Sequence, residues 1–186
     1  MLAILVIHFT INLLDKQNIE SAFALCYFYR GGILQHCLHA LKYKNRKDVG
    51  IYFGKLIGNE LININPHIDF IIPIPLHPKK EKIRGYNQSE MIAKGISQVL
   101  NVPINTNDVL RTKFTETQTK KSKWERYDNL NGVFAIKNTH KFANKHLLIV
   151  DDVITTGATT VSLIELFKNI PNVKISVACV GTPDKI

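Results

Sequence analysis

Apolar residues come in two rhythms along this chain, short unbroken runs and stripes at helical spacing, and the two alternate. "MLAILVIHF" opens the chain as a buried strand, and "AFALCYF" (22–28) is a second, ended by Gly31 and Gly32. In "ILQHCLHALKY", Leu34, Cys37, Leu38 and Leu41 recur at helical spacing. Asp48 is placed to cap a second helix, whose Val49, Phe53, Leu56 and Ile57 share a face. "IDFIIPIP" (68–75) is a short strand stopped by prolines, and "LHPKKEKIRGY" reads as a loop after it. Asn87 and Glu90 make a start resembling a capping box for a helix with Ile92, Ile96 and Val99 buried. "RTKFTETQTKKSKWERYDN" is long, polar and basic, and precedes the strand "GVFAI" (132–136). "HLLIV" supplies another strand, and "TTVSLIELFKN" a helix with Val161, Ile164 and Phe167 aligned. "VKISVACV" is a last buried strand.

Strands alternating with helices predict an α/β fold with a mainly parallel sheet flanked by helices. No internal repeat or linker divides the 186 residues, so one domain is expected. Within it, residues 1–64 form a strand-and-helix layer or hood, and residues 65–186 the core.

Composition narrows the choice of partner. The formal net charge is +9 and the pI about 9.5, a balance that favours anionic ligands such as phosphorylated sugars, nucleotides or nucleic acid. Three cysteines, Cys26, Cys37 and Cys179, with no CxxC spacing, argue against a disulfide framework and for a reducing cytoplasm. His36 and His39 stand three apart but lack a second pair of ligands, so no metal is expected there. The apolar opening is shorter than the ~20 residues that span a bilayer and has no basic flank or cleavage site, so no membrane insertion is expected.

The chemistry concentrates in "HLLIVDDVITTGATT". Asp151 and Asp152 end an apolar strand, where open parallel sheets bind ligands. Thr155, Thr156, Gly157, Ala158 and Thr159 then lead into a helix, offering small side chains, hydroxyls and backbone N–H groups to a phosphate. The acids would repel that phosphate. They suit neighbouring hydroxyls of the same ligand, or Mg²⁺ shared with them, and a vicinal diol near a monophosphate is a ribose 5-phosphate. GxxxxGK[ST] and GxGxxG are both absent, which excludes a nucleotide P-loop and a dinucleotide fingerprint. A receiver domain also places Asp at strand ends, but its early acid pair is missing here.

Residues 147–159 resemble the phosphoribosyltransferase fingerprint at all thirteen positions. "LHALKYKNRKDVG", "PIPLHPKKEKIRGYNQSEMIA", the 111–134 stretch and "LLIVDDVITTGATT" occur in the order seen in the competence protein F (ComF) family. The resemblance implies a type I phosphoribosyltransferase-like fold that binds phosphoribosyl pyrophosphate with Mg²⁺, tied to natural competence and DNA uptake in the cytoplasm, with an unsettled acceptor. It implies that the loop after the first core strand meets pyrophosphate, which makes Ile74, Pro75, Leu76, His77 and Arg84 candidates. Gln118, Lys121 and Arg126 are candidates on a closing lid, with Trp124 as its packing anchor. Asp151, Asp152, Arg84 and Arg126 are the candidate catalytic residues. Many members open with a four-cysteine zinc ribbon; no CxxC pair exists here, so no zinc is expected. Oxopurine enzymes carry an Asp where Thr155 stands, and a threonine is no general base at neutral pH, which disfavours that acceptor. Two other readings stay open: a non-catalytic single-stranded-DNA-binding competence factor, motivated by net charge and by lysines at 79–82 and 120–123, and a purine or pyrimidine salvage enzyme.

Overall fold

Unbroken apolar runs become strands covered on both faces, because only there is every side chain dry. The computed structural model describes residues 7–8, 19–29, 31–64, 67–112 and 132–183. Among the described residues its main sheet has five strands: β1 (Ile7–His8), β2 (Ile19–Tyr27), β3 (Phe70–Pro73), β6 (His146–Val153) and β7 (Lys174–Thr182). Their order is β1-β2-β7-β6-β3; β1 runs antiparallel to β2, and every other pairing is parallel. The mainly parallel sheet expected from the alternation is therefore present. In the register, Pro73 pairs with Val150, and Asp151 pairs with Cys179. Alternate side chains feed two cores. Leu147, Ile149, Ile175 and Val177 pack with Val161, Ile164 and Phe167 on one face, while Leu148, Val150, Ala178 and Val180 meet the large helices on the other.

Those helices are α1 (Ile33–Tyr43), α2 (Lys47–Ile64) and α4 (Gln88–Leu100). The α1 stripe is as predicted, with Leu34, Leu38 and Leu41 buried. Helix α2 begins at Lys47, so Asp48 lies inside its first turn rather than capping it, and its carboxylate holds Arg46 at 2.7 Å. The buried face of α2 includes Gly50, Gly54 and Gly58, a glycine stripe that a search for apolar side chains overlooks. A Cβ on Gly54 would stand 2.0 Å from the Ile92 carbonyl oxygen, and one on Gly95 would stand 2.2 Å from that of Ile51. Backbone meets backbone at this crossing, so α2 and α4 lie closer than a side chain there would allow.

The stretch expected to be a loop after β3 is instead a short helix, α3 (Pro78–Arg84). It has no buried residue, so it shows no apolar period; its signals are local. Pro78 sits at its start, His77 caps it by accepting the Lys79 N–H at Nδ1 (3.2 Å), and Gly85 ends it at φ +84°. Helix α4 starts where predicted: Asn87 caps it, accepting the Ser89 N–H at 3.1 Å. Glu90 does not close a reciprocal box but pairs with Lys94 at 3.1 Å. Strand β5 (Phe134–Ile136) pairs with β4 (Val109–Arg111) in a separate two-stranded antiparallel sheet, β4 being unforeseen. After β6, α5 (Ala158–Ile164) passes into a 3-10 turn at Glu165–Phe167. Among the described residues no helix is long and apolar enough to cross a membrane.

Candidate functional site

The site forms at the carboxyl ends of β3 and β6, where β3 has stopped and β6 runs on beside β7. The Asp151 carboxylate accepts at Oδ1 from the Ser89 hydroxyl (3.1 Å) and from the Asp152 N–H (2.8 Å). Burial, then the neighbouring Asp152 charge, push its pKa up to about 7, against those hydrogen bonds and the Lys42 charge. Asp152, 9% exposed, accepts the Val153 N–H at Oδ1 (2.8 Å) and meets Lys42 Nζ at Oδ2 (2.6 Å). The two acids thus differ in partner: Asp151 meets a hydroxyl and a backbone N–H, Asp152 a lysine ammonium and a backbone N–H. Burial alone pulls the Lys42 ammonium down, but the Asp152 charge and hydrogen bond outweigh it, and the pKa ends above its ordinary value.

Lys42 arrives on the last turn of α1, and that turn is fastened to the site on both sides of it. The Tyr86 hydroxyl donates to the Leu41 carbonyl, and the Arg84 guanidinium lies over the Tyr43 ring, 5.4 Å from its centroid. Lys47 lies over the Tyr86 ring in turn, at 5.1 Å.

The loop after β3 runs alongside. Ile74 extends the parallel pairing, its N–H donating to the Val150 carbonyl (2.8 Å), and its own carbonyl accepts from Asn87 Nδ2 (3.0 Å). Asn87 therefore ties this loop to the start of α4, two residues before Ser89. Pro75, Leu76 and His77 follow half-buried. Burial and the charges of Lys79, Arg111 and Lys80 hold the His77 imidazole below its ordinary pKa. Arg111, on β4, is near enough to act on His77 and on Asp151. Burial lowers its pKa, and the Asp151 charge opposes that. Its guanidinium lies over Phe134, 5.3 Å from the ring centroid. Arg84 opposes the charge of Lys42. Cations thus reach the acid pair from α1 and β4, with Arg84 of α3 near Lys42.

On the other side, the Ile154 N–H donates to Gly181 O (3.0 Å), and residues 155–159 turn into α5. Thr155 is exposed, Thr156 and Thr159 are half-buried, and Gly157 and Ala158 are buried. Gly157 adopts φ +71°, a left-handed turn that favours glycine. The Val161 N–H donates to the Gly157 carbonyl (2.8 Å), so the N–H groups before it, at 158–160, lack intrahelical carbonyls.

Asp151, Asp152, residues 155–159, Ile74, His77 and Arg84 thus adjoin one edge of the sheet. Gln118, Lys121, Trp124 and Arg126 lie outside the described residues. Sequence reasoning missed Lys42, Ser89 and Arg111. Ser89 was hidden inside a capping motif, and Lys42 follows the last apolar position of the α1 stripe, where a lysine reads as ordinary surface. Cys179, opposite Asp151, is buried, and burial pushes its thiol well up, so it is no nucleophile.

The chain is 36% identical over 101 residues to "Competence protein F" of Haemophilus influenzae, covering 54% of this chain and 44% of that protein. It is 30% identical over 138 residues to "DNA utilization protein YhgH" of Shigella flexneri, covering 72% of this chain and 60% of that protein. The chain therefore spans about half the length of these curated relatives. Among solved structures it is similar to a purine phosphoribosyltransferase from Pyrococcus horikoshii Ot3, at 20% identity and a TM-score of 0.43, over 75% of this chain and 77% of that one. Residues 87–184, which hold Ser89, the acid pair and the threonine loop, match the family model described as "Phosphoribosyl transferase domain". The chain belongs to that family, with the type I phosphoribosyltransferase fold, in the group of competence protein F and its relatives.

Proposed function

We propose that this edge of the sheet binds phosphoribosyl pyrophosphate and serves a phosphoribosyl-transfer or sensing step in the handling of incoming DNA. One observation carries the reading: the acid pair lies at the end of β6, the threonine loop follows at once, and Arg111 stands near Asp151 with Arg84 near Lys42. Asp151 and Asp152 accept hydrogen bonds from the ribose hydroxyls. The loop at 155–159 donates N–H and hydroxyl groups to the 5-phosphate, each charged hydrogen bond being worth about 1.5–3 kcal/mol. His77, Arg84 and Arg111 face the pyrophosphate and offset the charge that grows as it leaves C1. Mg²⁺ fits this donor set, since hard carboxylate oxygens lie where ligand hydroxyls and phosphate oxygens would share the ion. When bound, it would neutralise part of the pyrophosphate charge. The association with DNA uptake, and a cytoplasmic place for it, follow the names of the relatives and are proposed on that ground.

Asp152→Asn tests the reading. Calorimetry should show phosphoribosyl pyrophosphate bound at least about tenfold more weakly, about 1.4 kcal/mol, because Asn offers one acceptor oxygen and no charge. Unchanged affinity would sink the assignment. Pyrophosphate release across a panel of bases, amines and nucleic acid then identifies the acceptor, and an efficient base would favour salvage.

A second reading is a single-stranded-DNA contact that retains the sugar-phosphate site. The surface of α3 favours it, with Lys79 and Lys82 exposed beside Ile83, which is 86% exposed. Such binding should fall steeply with salt. Gel shifts without a complex at low salt remove it.

A further inference from the structure

We infer that Lys42 is a positioning residue of this site: a cation from outside residues 87–184 that orients the Asp152 carboxylate for the sugar hydroxyls. The inference rests on the sugar-phosphate reading above. Asp152 is gripped at both oxygens, by the Val153 N–H at Oδ1 and by Lys42 Nζ at Oδ2. Two anchors fix the plane of a carboxylate that would otherwise turn about its last bond, and they decide where its remaining lone pairs lie. Lys42 is itself held. The residue before it receives the Tyr86 hydroxyl, and the residue after it lies under Arg84, so three consecutive residues of α1 are each fastened to the site. The pair is largely shielded from solvent, with side chains 28% and 12% exposed, so salt screens it weakly.

A positioning residue acts through its partner, and a double-mutant cycle on the full chain measures that. Calorimetry with ribose 5-phosphate should show Lys42→Gln binding about tenfold more weakly than wild type. Lys42→Arg should recover most of the loss. Placed on Asp152→Asn, Lys42→Gln should change affinity less than about twofold, because its partner is already gone. Inorganic phosphate, which has no diol, should bind wild type and Lys42→Gln alike. If wild type binds ribose 5-phosphate and Lys42→Gln matches it, the inference fails while the site reading stands. An equal loss in the Asp152→Asn background, or a loss for inorganic phosphate, also overturns it, since Lys42 would then touch the ligand itself. If wild type binds neither ribose 5-phosphate nor phosphoribosyl pyrophosphate, the site reading fails first. Should Lys42→Gln unfold in urea controls, the same cycle is run with Lys42→Met, which keeps the length of the side chain.

Discussion

Replacing Gly95 by alanine should loosen the whole helical face and, through it, the site. A Cβ there would lie 2.2 Å from the Ile51 carbonyl oxygen and 2.8 Å from both Gly54 Cα and Lys55 N. Ordinary carbon–oxygen contacts begin at about 3.3 Å, so the axes of α2 and α4 must part by about 1 Å. All three neighbours are backbone, so no rotamer change relieves the clash. Parting costs dispersion along the seam as well, where Gly50 meets Met91 and Gly58 meets Val99, because a gap of that size forfeits a large share of each contact. Overpacking of this kind costs about 1–3 kcal/mol, and a backbone clash belongs at the upper end. Alanine returns about 1 kcal/mol in helix propensity. The expected net loss is about 2 kcal/mol, read from the urea midpoint at constant slope. Because α4 carries Asn87 and Ser89, affinity for ribose 5-phosphate should fall too. Gly85→Ala is the control: it has open space around the added carbon but φ +84°, and should cost about 1 kcal/mol from the left-handed backbone alone. A Gly95→Ala protein as stable as wild type would refute the reasoning about the crossing.

Asp151→Asn should change how stability depends on pH. The carboxyl titrates near 3.8 when free and about 7 when folded, so between those values the folded state keeps a proton that the unfolded chain has released. Wild-type stability from this group is therefore present below about pH 4 and lost as pH rises toward 7. The groups around it are Asp152, Lys42, Ser89, Arg111 and Cys179. At about 1.4 kcal/mol per pH unit, the variant should gain up to about 4 kcal/mol on wild type at pH 8 and nothing near pH 4, while binding ligand less well. Urea curves whose difference does not move with pH would count against it. Asn87→Ala removes a helix cap, worth about 1 kcal/mol, and strips the buried Ile74 carbonyl of its donor. A total loss of about 2 kcal/mol is expected in thermal or urea unfolding, and a loss below about 0.5 kcal/mol would show that the loop after β3 is held otherwise.

Local pattern and the order of motifs determined much of this protein. Apolar runs and helical stripes placed β3, β6, β7, α1 and α4, because burying apolar area is the same demand in any fold of this class. The acid pair and its threonine loop were legible since strand, carboxylates and turn lie side by side in the chain, and a ligand's diol and phosphate need that spacing. Tertiary structure decided what depends on distant partners. The glycine stripe of α2 acquires its meaning only against Gly95 of α4. Helix α3 buries nothing, so no period announced it. Lys42 lies more than a hundred residues before Asp152 and is an unremarkable lysine until α1 docks beside β6. A one-dimensional pattern records which side chains avoid water. Which charge meets which depends on how helices pack across the sheet, and that contact is written in no local stretch of the chain.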